Sequence, residues 1–260
     1  MGKGLTEIRS LQRRTQPYMQ ERKVSVQTSL QAIAKKASEQ PGYRFRNLFG
    51  MLDEDMLKDS WHFIRKQAAS GVDRVSAQEY EQNLEENIHQ LVDGLKRKRY
   101  RAKNVLRRYI PKGKGKFRPL GIPATQDKLL QIAVKRILEA IFEQDFLLCS
   151  YGYRPGVGAL DAVDKLTVKL QFGKYNYVVE ADIKGYFENI DHEWMLKMLT
   201  ERVDDKALLW LIKKWLKAGI LDEDGKVIHP TTGTPQGGSS HRFWQTCTCT
   251  TCLICGLRKW

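Results

Sequence analysis

The sequence predicts an α+β fold, in which helices flank a small antiparallel sheet. Three observations lead there: most apolar residues recur at helical spacing, two Gly-centred turns join short alternating runs, and one apolar run stops abruptly on a carboxylate, Asp182. With 260 residues, 42% of them hydrophobic, the chain can bury a full core as one large domain or two small ones. It has no low-complexity tract and no internal repeat.

Residues 5–40 read as one or two basic helices, broken at Gln40-Pro-Gly42, and residues 53–69 as an amphipathic helix. Ser76-Ala-Gln-Glu79 is a capping box in which hydroxyl and carboxylate satisfy each other's orphan amides. It opens a helix whose stripe is Tyr80, Leu84, Ile88, Leu91 and Leu95. Val105 to Pro111 alternates like a strand, Lys112 to Lys116 turns, and Phe117 to Ile122 returns. Pro119 lacks an amide hydrogen for a ladder, so this second strand belongs at a sheet edge and the cation-bearing turn projects.

Gln126 to Leu148 reads as a long helix, Tyr151 to Gly156 as a loop, and Ala159 to Gln171 as another helix. The run from Val178 then predicts a strand delivering Asp182 to its C-terminal edge. Helices near His192–Thr200 and Lys206–Lys217 follow, with Asp191 as N-cap of the first. A last hairpin over residues 219–229 turns at Asp224-Gly225.

The net charge of +14 is concentrated. Residues 96–118 carry 12 Lys and Arg and no acid, which leaves +2 for everything else. That is the footprint of a polyanionic partner, although a solvated helix end running into a basic loop gives the same composition. The chain has no uninterrupted apolar window of membrane-spanning length and no apolar leader at Met1, so a cytoplasmic protein without a membrane partner is expected.

Residues 178–192, V-V-E-A-D-I-K-G-Y-F-E-N-I-D-H, suit metal-assisted chemistry, since an exposed acid at a strand end followed by a Gly turn can reach a bound ion. An Asp in that position also serves as an ordinary turn or N-cap residue. Some forty residues later stands Gly233-Thr-Pro-Gln-Gly-Gly238. Together the two segments resemble palm motifs of reverse transcriptases, specifically those encoded by group II introns. Tyr109-Ile-Pro-Lys112 with Lys116-Phe-Arg-Pro-Leu-Gly-Ile-Pro123 resembles that family's fingers segment, and residues 143–160 resemble its next block.

Four ordered blocks over roughly residues 70–238 carry the resemblance. It implies right-hand polymerase fingers and an incomplete palm, divided as a basic RNA-binding extension (1–70), fingers (71–175), partial palm (176–238) and tail (239–260). It further implies Asp182 as a catalytic Mg2+ ligand, the Ile183 carbonyl as a second, and Phe187 as the gate against a ribose 2′-hydroxyl. Read without the block, Phe187 is simply a packed aromatic. Gln236 would touch the incoming deoxynucleoside triphosphate, Gly237 the template strand, and Lys112 and Arg118 the phosphates. Tyr153, Arg154 and Pro155 would floor the template, or merely end a helix in a loop.

The implied activity is RNA-directed DNA synthesis in intron mobility, with maturase action on the parent intron RNA, a DNA primer being the other partner. The alternatives are a non-catalytic splicing helper that binds intron RNA, and a retron or diversity-generating reverse transcriptase.

The last residues depart from the family. Cys247, Cys249, Cys252 and Cys255 suggest a zinc site, but permissible back-translation from codon 240 in a shifted frame restores the family's next helix, S-P-I-L-A-N-V-Y-L. A missense tail after a one-nucleotide shift is therefore expected. The family's downstream Tyr-x-Asp-Asp carboxylates are missing from these 260 residues, so the two-metal site would not assemble and the chain would be inactive alone.

Overall fold

A computed structural model describes residues 25–113 and 115–234. The tail cysteines and the Gln236–Gly237 pair lie outside the described residues, as does the start of the basic extension. Eight helices are described: α1 (25–39), α2 (Glu54–Trp61), α3 (Ala77–Gln82), α4 (Leu84–Lys96), α5 (Thr125–Phe142), α6 (Ala159–Phe172), α7 (His192–Thr200) and α8 (Lys206–Leu216). Four strands, β1 (Val105–Gly113), β2 (Lys116–Ile122), β3 (Ile220–Leu221) and β4 (Val227–Ile228), form one sheet in the order β2-β1-β3-β4. The fold is α+β.

Local signals act where they stand. The Ser76 hydroxyl accepts from the Glu79 amide at 3.1 Å while the Glu79 carboxylate accepts from the Ser76 amide at 2.7 Å, the reciprocal capping box. The stripe it opens is interrupted at Asn83, which leaves the helical region and divides α3 from α4. Tyr80, Ile88, Leu91 and Leu95 are nevertheless buried on one side. Asp191 caps α7 by accepting from the Trp194 amide at 2.8 Å.

α5 is the central helix. Leu129, Leu130, Ile137, Leu138 and Ile141 are fully buried, each contributing about 1.5–3 kcal/mol by leaving water. α2 packs on both α5 and α4, and Arg136 ties α5 to α2 through Asp59 at 2.6 Å and Ser60 at 2.9 Å. One continuous apolar core runs from Val26 on α1 to Leu216 on α8, so the described part of residues 1–70 shares its interior with the segments after residue 176. Arg202 enforces this, its guanidinium donating to the Ala37 and Gln40 carbonyls at 2.9 and 3.0 Å, and to that of Pro41, at the end of α1.

Two expectations are corrected. The sheet is mixed rather than antiparallel, because β3 runs parallel to β1, with Val105 opposite Ile220. Residues 174–183 form no strand: a strand exists only through a ladder, and no described strand pairs with them. Tyr177 and Val179 stand 90% and 91% exposed there, and α6 just before buries none of its residues.

Candidate nucleotide and nucleic-acid site

The β1–β2 hairpin is antiparallel from Leu106 opposite Ile122 to Pro111 opposite Phe117, with a bulge between Pro111 and Gly113 that sets Lys112 outside the register. β2 is the edge strand, which accommodates Pro119 as expected. The base of the hairpin is neutralised. Arg107 meets Asp222 at 3.0 Å, Arg108 meets Glu223 at 3.3 Å, and the Tyr109 hydroxyl donates to Asp222 at 3.3 Å. The backbone amide of Glu223 and then Arg107 hold the Asp222 carboxyl below its ordinary range. Toward the tip, Lys112, Lys116 and Arg118 are exposed and make no ion pair among the described residues. Cations near the hairpin base thus serve the fold, whereas those near the tip remain open to an anion.

The Asp182 block is shaped by its glycine. Gly185 takes φ 62°, and the Asn189 amide side chain donates to its carbonyl at 2.8 Å, closing the single 3₁₀ turn Tyr186–Glu188. Residues 232–234 lie directly against this turn. The Thr234 amide donates to the Phe187 carbonyl at 2.8 Å, the Gly233 amide donates to the Ile190 carbonyl at 2.7 Å, and Thr232 bridges Asp191. Gly233 has φ 78°, and a Cβ there would come within 2.7 Å of the Glu188 oxygen and 2.8 Å of the Phe187 oxygen. Buried His192 places Nε2 2.6 Å from the Gly233 carbonyl, so the imidazole donates from that nitrogen. His192 and Asp222 were not singled out from the sequence; the adjacency of His192 to the capping Asp191 was the available signal.

Phe187, Glu188 and Gly233–Thr234 line a cavity of about 330 Å³ with the hairpin residues Arg107, Pro119 and Leu120 and with Ile220 and Ile228. Three segments singled out from the sequence therefore meet at one space. Asp182, Ile183, Lys112 and Arg118 are exposed and do not line it. Among the described residues no group of three or more His, Cys, Asp or Glu could hold a metal. Asp182 offers one carboxylate and Ile183 one carbonyl, and two ions held side by side need further carboxylates, so the described donors do not fit a two-ion site.

The 143–160 block folds around Arg154. Its guanidinium donates to Glu143 Oε1 at 2.6 and 2.9 Å, to the Leu147 carbonyl at 3.0 Å and to the Ser150 carbonyl at 2.8 Å. These contacts commit the side chain inward, while Tyr153, at φ 59°, and Pro155 are exposed. No helix of the described residues is long and apolar enough to cross a membrane.

Residues 110–241, about half of the chain, match the family model described as reverse transcriptase (RNA-dependent DNA polymerase). The group II intron-encoded protein LtrA of Lactococcus lactis subsp. cremoris is 43% identical over 155 residues, which cover 59% of this chain and 25% of that protein. Protein YkfC of Escherichia coli (strain K12) is 36% identical over 173 residues, 65% of this chain and 45% of that one. Among solved structures, a chain of a partial Cas6-RT-Cas1–Cas2 complex superposes with a TM-score of 0.46 at 20% identity, covering 76% of this chain and 33% of that chain. The chain thus spans about a quarter of the Lactococcus relative and less than half of the Escherichia one.

Proposed function

The chain belongs to the reverse transcriptase (RNA-dependent DNA polymerase) family, and on that premise we propose that it forms the fingers and first palm motif of a group II intron reverse transcriptase and maturase. Its role in that reading is to hold RNA template, DNA primer and an incoming deoxynucleoside triphosphate for RNA-directed DNA synthesis in intron mobility, and to bind the parent intron RNA for splicing. A cytoplasmic location suits those partners.

The observation that carries the reading is the docking of Gly233–Thr234 on the Phe187 turn, beside the base of the basic hairpin. Phe187 supplies a rigid apolar wall for a sugar. Lys112 and Arg118 reach phosphate from the hairpin, Arg118 through a bidentate fork and Lys112 as a point charge. Gln236 and Gly237, which follow Thr234 after Pro235 in the sequence, would contact base and template. Tyr153 and Pro155 would line the template path, with Arg154 holding their loop. Reverse transcriptases use divalent ions, which stabilise charge on the transferred phosphoryl group; Asp182 and the Ile183 carbonyl would contribute ligands to one Mg2+. Polymerisation would need further carboxylates beside these two donors.

The test is photo-crosslinking of a labelled deoxynucleoside triphosphate to the 260-residue protein on an RNA template with annealed DNA primer. Labelling is expected to fall at least tenfold in Lys112→Ala/Arg118→Ala. Equal labelling of that variant, or labelling independent of template, would overturn the proposal.

A further inference from the structure

α8 carries a feature unconnected with the motifs above. Lys206, Trp210, Lys213 and Lys217 follow one another by four, three and four residues, which places them on one helical face, and all four are exposed. The opposite face, Leu208, Leu211, Ile212, Trp215 and Leu216, is buried. From residue 206 to 217 the helix has no acid. The acids just before it are already engaged: Asp204 pairs with Arg46 at 2.7 Å, and Asp205 caps α8. Lys206, Lys213 and Lys217 make no ion pair among the described residues.

Two further observations distinguish this face from an ordinary solvated one. Trp210 is 41% exposed, a costly display of aromatic surface, with the Lys214 ammonium 3.7 Å from its ring centroid. Lys214 also donates to the Tyr100 carbonyl at 2.6 Å, and Arg101 lies close enough that its charge, after burial, lowers the Lys214 ammonium. α8 therefore abuts the basic run at Tyr100 and Arg101.

We propose that this face of α8 is a second RNA-binding surface, taking single-stranded RNA with a base stacked on Trp210 and phosphates on Lys206, Lys213 and Lys217. Cations at intervals around an exposed aromatic are what single-stranded nucleic acid requires, since every base has a π face and every linkage a charge. An acidic protein would match the lysines and gain little from the indole. The surface is argued from α8 itself; the choice of RNA over DNA rests on the family reading.

Filter binding of the full 260-residue chain to a 20-nucleotide oligouridylate, the matching single-stranded DNA, heparin, and vesicles containing phosphatidylserine tests this. Lys213→Glu/Lys217→Glu is expected to weaken RNA binding and reduce the slope of log K against log salt by about 1.4, from two phosphate contacts at about 0.7 each. Trp210→Leu, which keeps apolar packing, should weaken RNA binding roughly tenfold with unchanged salt slope and unchanged heparin affinity, and Trp210→Phe should restore most of it.

Equal loss of heparin and RNA binding in Trp210→Leu would overturn the proposal, as would tighter binding of DNA than RNA or vesicle binding that depends on Trp210. If the α8 variants keep full RNA affinity while Lys112→Ala/Arg118→Ala loses nucleotide labelling, the α8 surface falls and the polymerase reading stands.

Discussion

The Thr234 amide hydrogen-bonds the Phe187 carbonyl at 2.8 Å across 47 residues of sequence, joining the two motifs that define this site. Gly233 makes that approach possible, because its φ of 78° and its missing Cβ let two carbonyls come close. Gly233→Ala should cost about 2 kcal/mol or more, from the left-handed backbone together with the displaced Phe187 and Glu188 carbonyls. Urea denaturation measures the loss, and nucleotide labelling should fall with it. An alanine variant as stable and as readily labelled as the parent would show that the two motifs are not locked together.

Arg154 is predicted to act through the fold. Arg154→Met leaves Glu143 and the Leu147 and Ser150 carbonyls without their donor, a loss of about 1–3 kcal/mol. RNA affinity measured well below the lowered melting temperature should be unchanged. A drop in affinity with the protein still folded would instead make the guanidinium a template contact.

Asp127 gives the protein a pH signature. Its carboxylate accepts from the Tyr100 hydroxyl at 2.6 Å and the Lys103 amide at 3.0 Å, and burial pushes its pKa up to about 6. Since the folded value lies above the unfolded one, the native state binds more protons between them and stability falls as pH rises. The contribution is complete below about pH 4 and is lost through pH 6, a change of about 3 kcal/mol. Asp127→Asn has no such titration, so the wild-type stability relative to Asn should decline by that amount from pH 4 to pH 7. A difference constant with pH would contradict the assignment.

On the proposed reading, the 260-residue polypeptide on its own should not extend a DNA primer on an RNA template with Mg2+, because among the described residues no group of three or more His, Cys, Asp or Glu could hold paired ions. Measurable incorporation by the purified polypeptide, lost in Asp182→Ala, would refute this.

The features legible in the sequence are those whose partners lie within a few residues or along one face. The Ser76–Glu79 box, the Asp191 cap, the two hairpins, the buried stripe of α5 and the edge position of Pro119 all follow from local donors, acceptors and periodicity. Family-level motifs could be placed in order because their spacing survives in one dimension.

Tertiary structure alone decided what depends on a distant neighbour. Residues 178–182 have the composition of a strand, yet no described ladder receives them, and backbone hydrogen bonding rather than side-chain preference makes a strand. The parallel step from β1 to β3 and the seating of Gly233 on the Phe187 turn are long-range events of the same kind. Sequence fixes which groups a residue can offer; packing decides which of them are already spent inside the fold and which remain for a ligand.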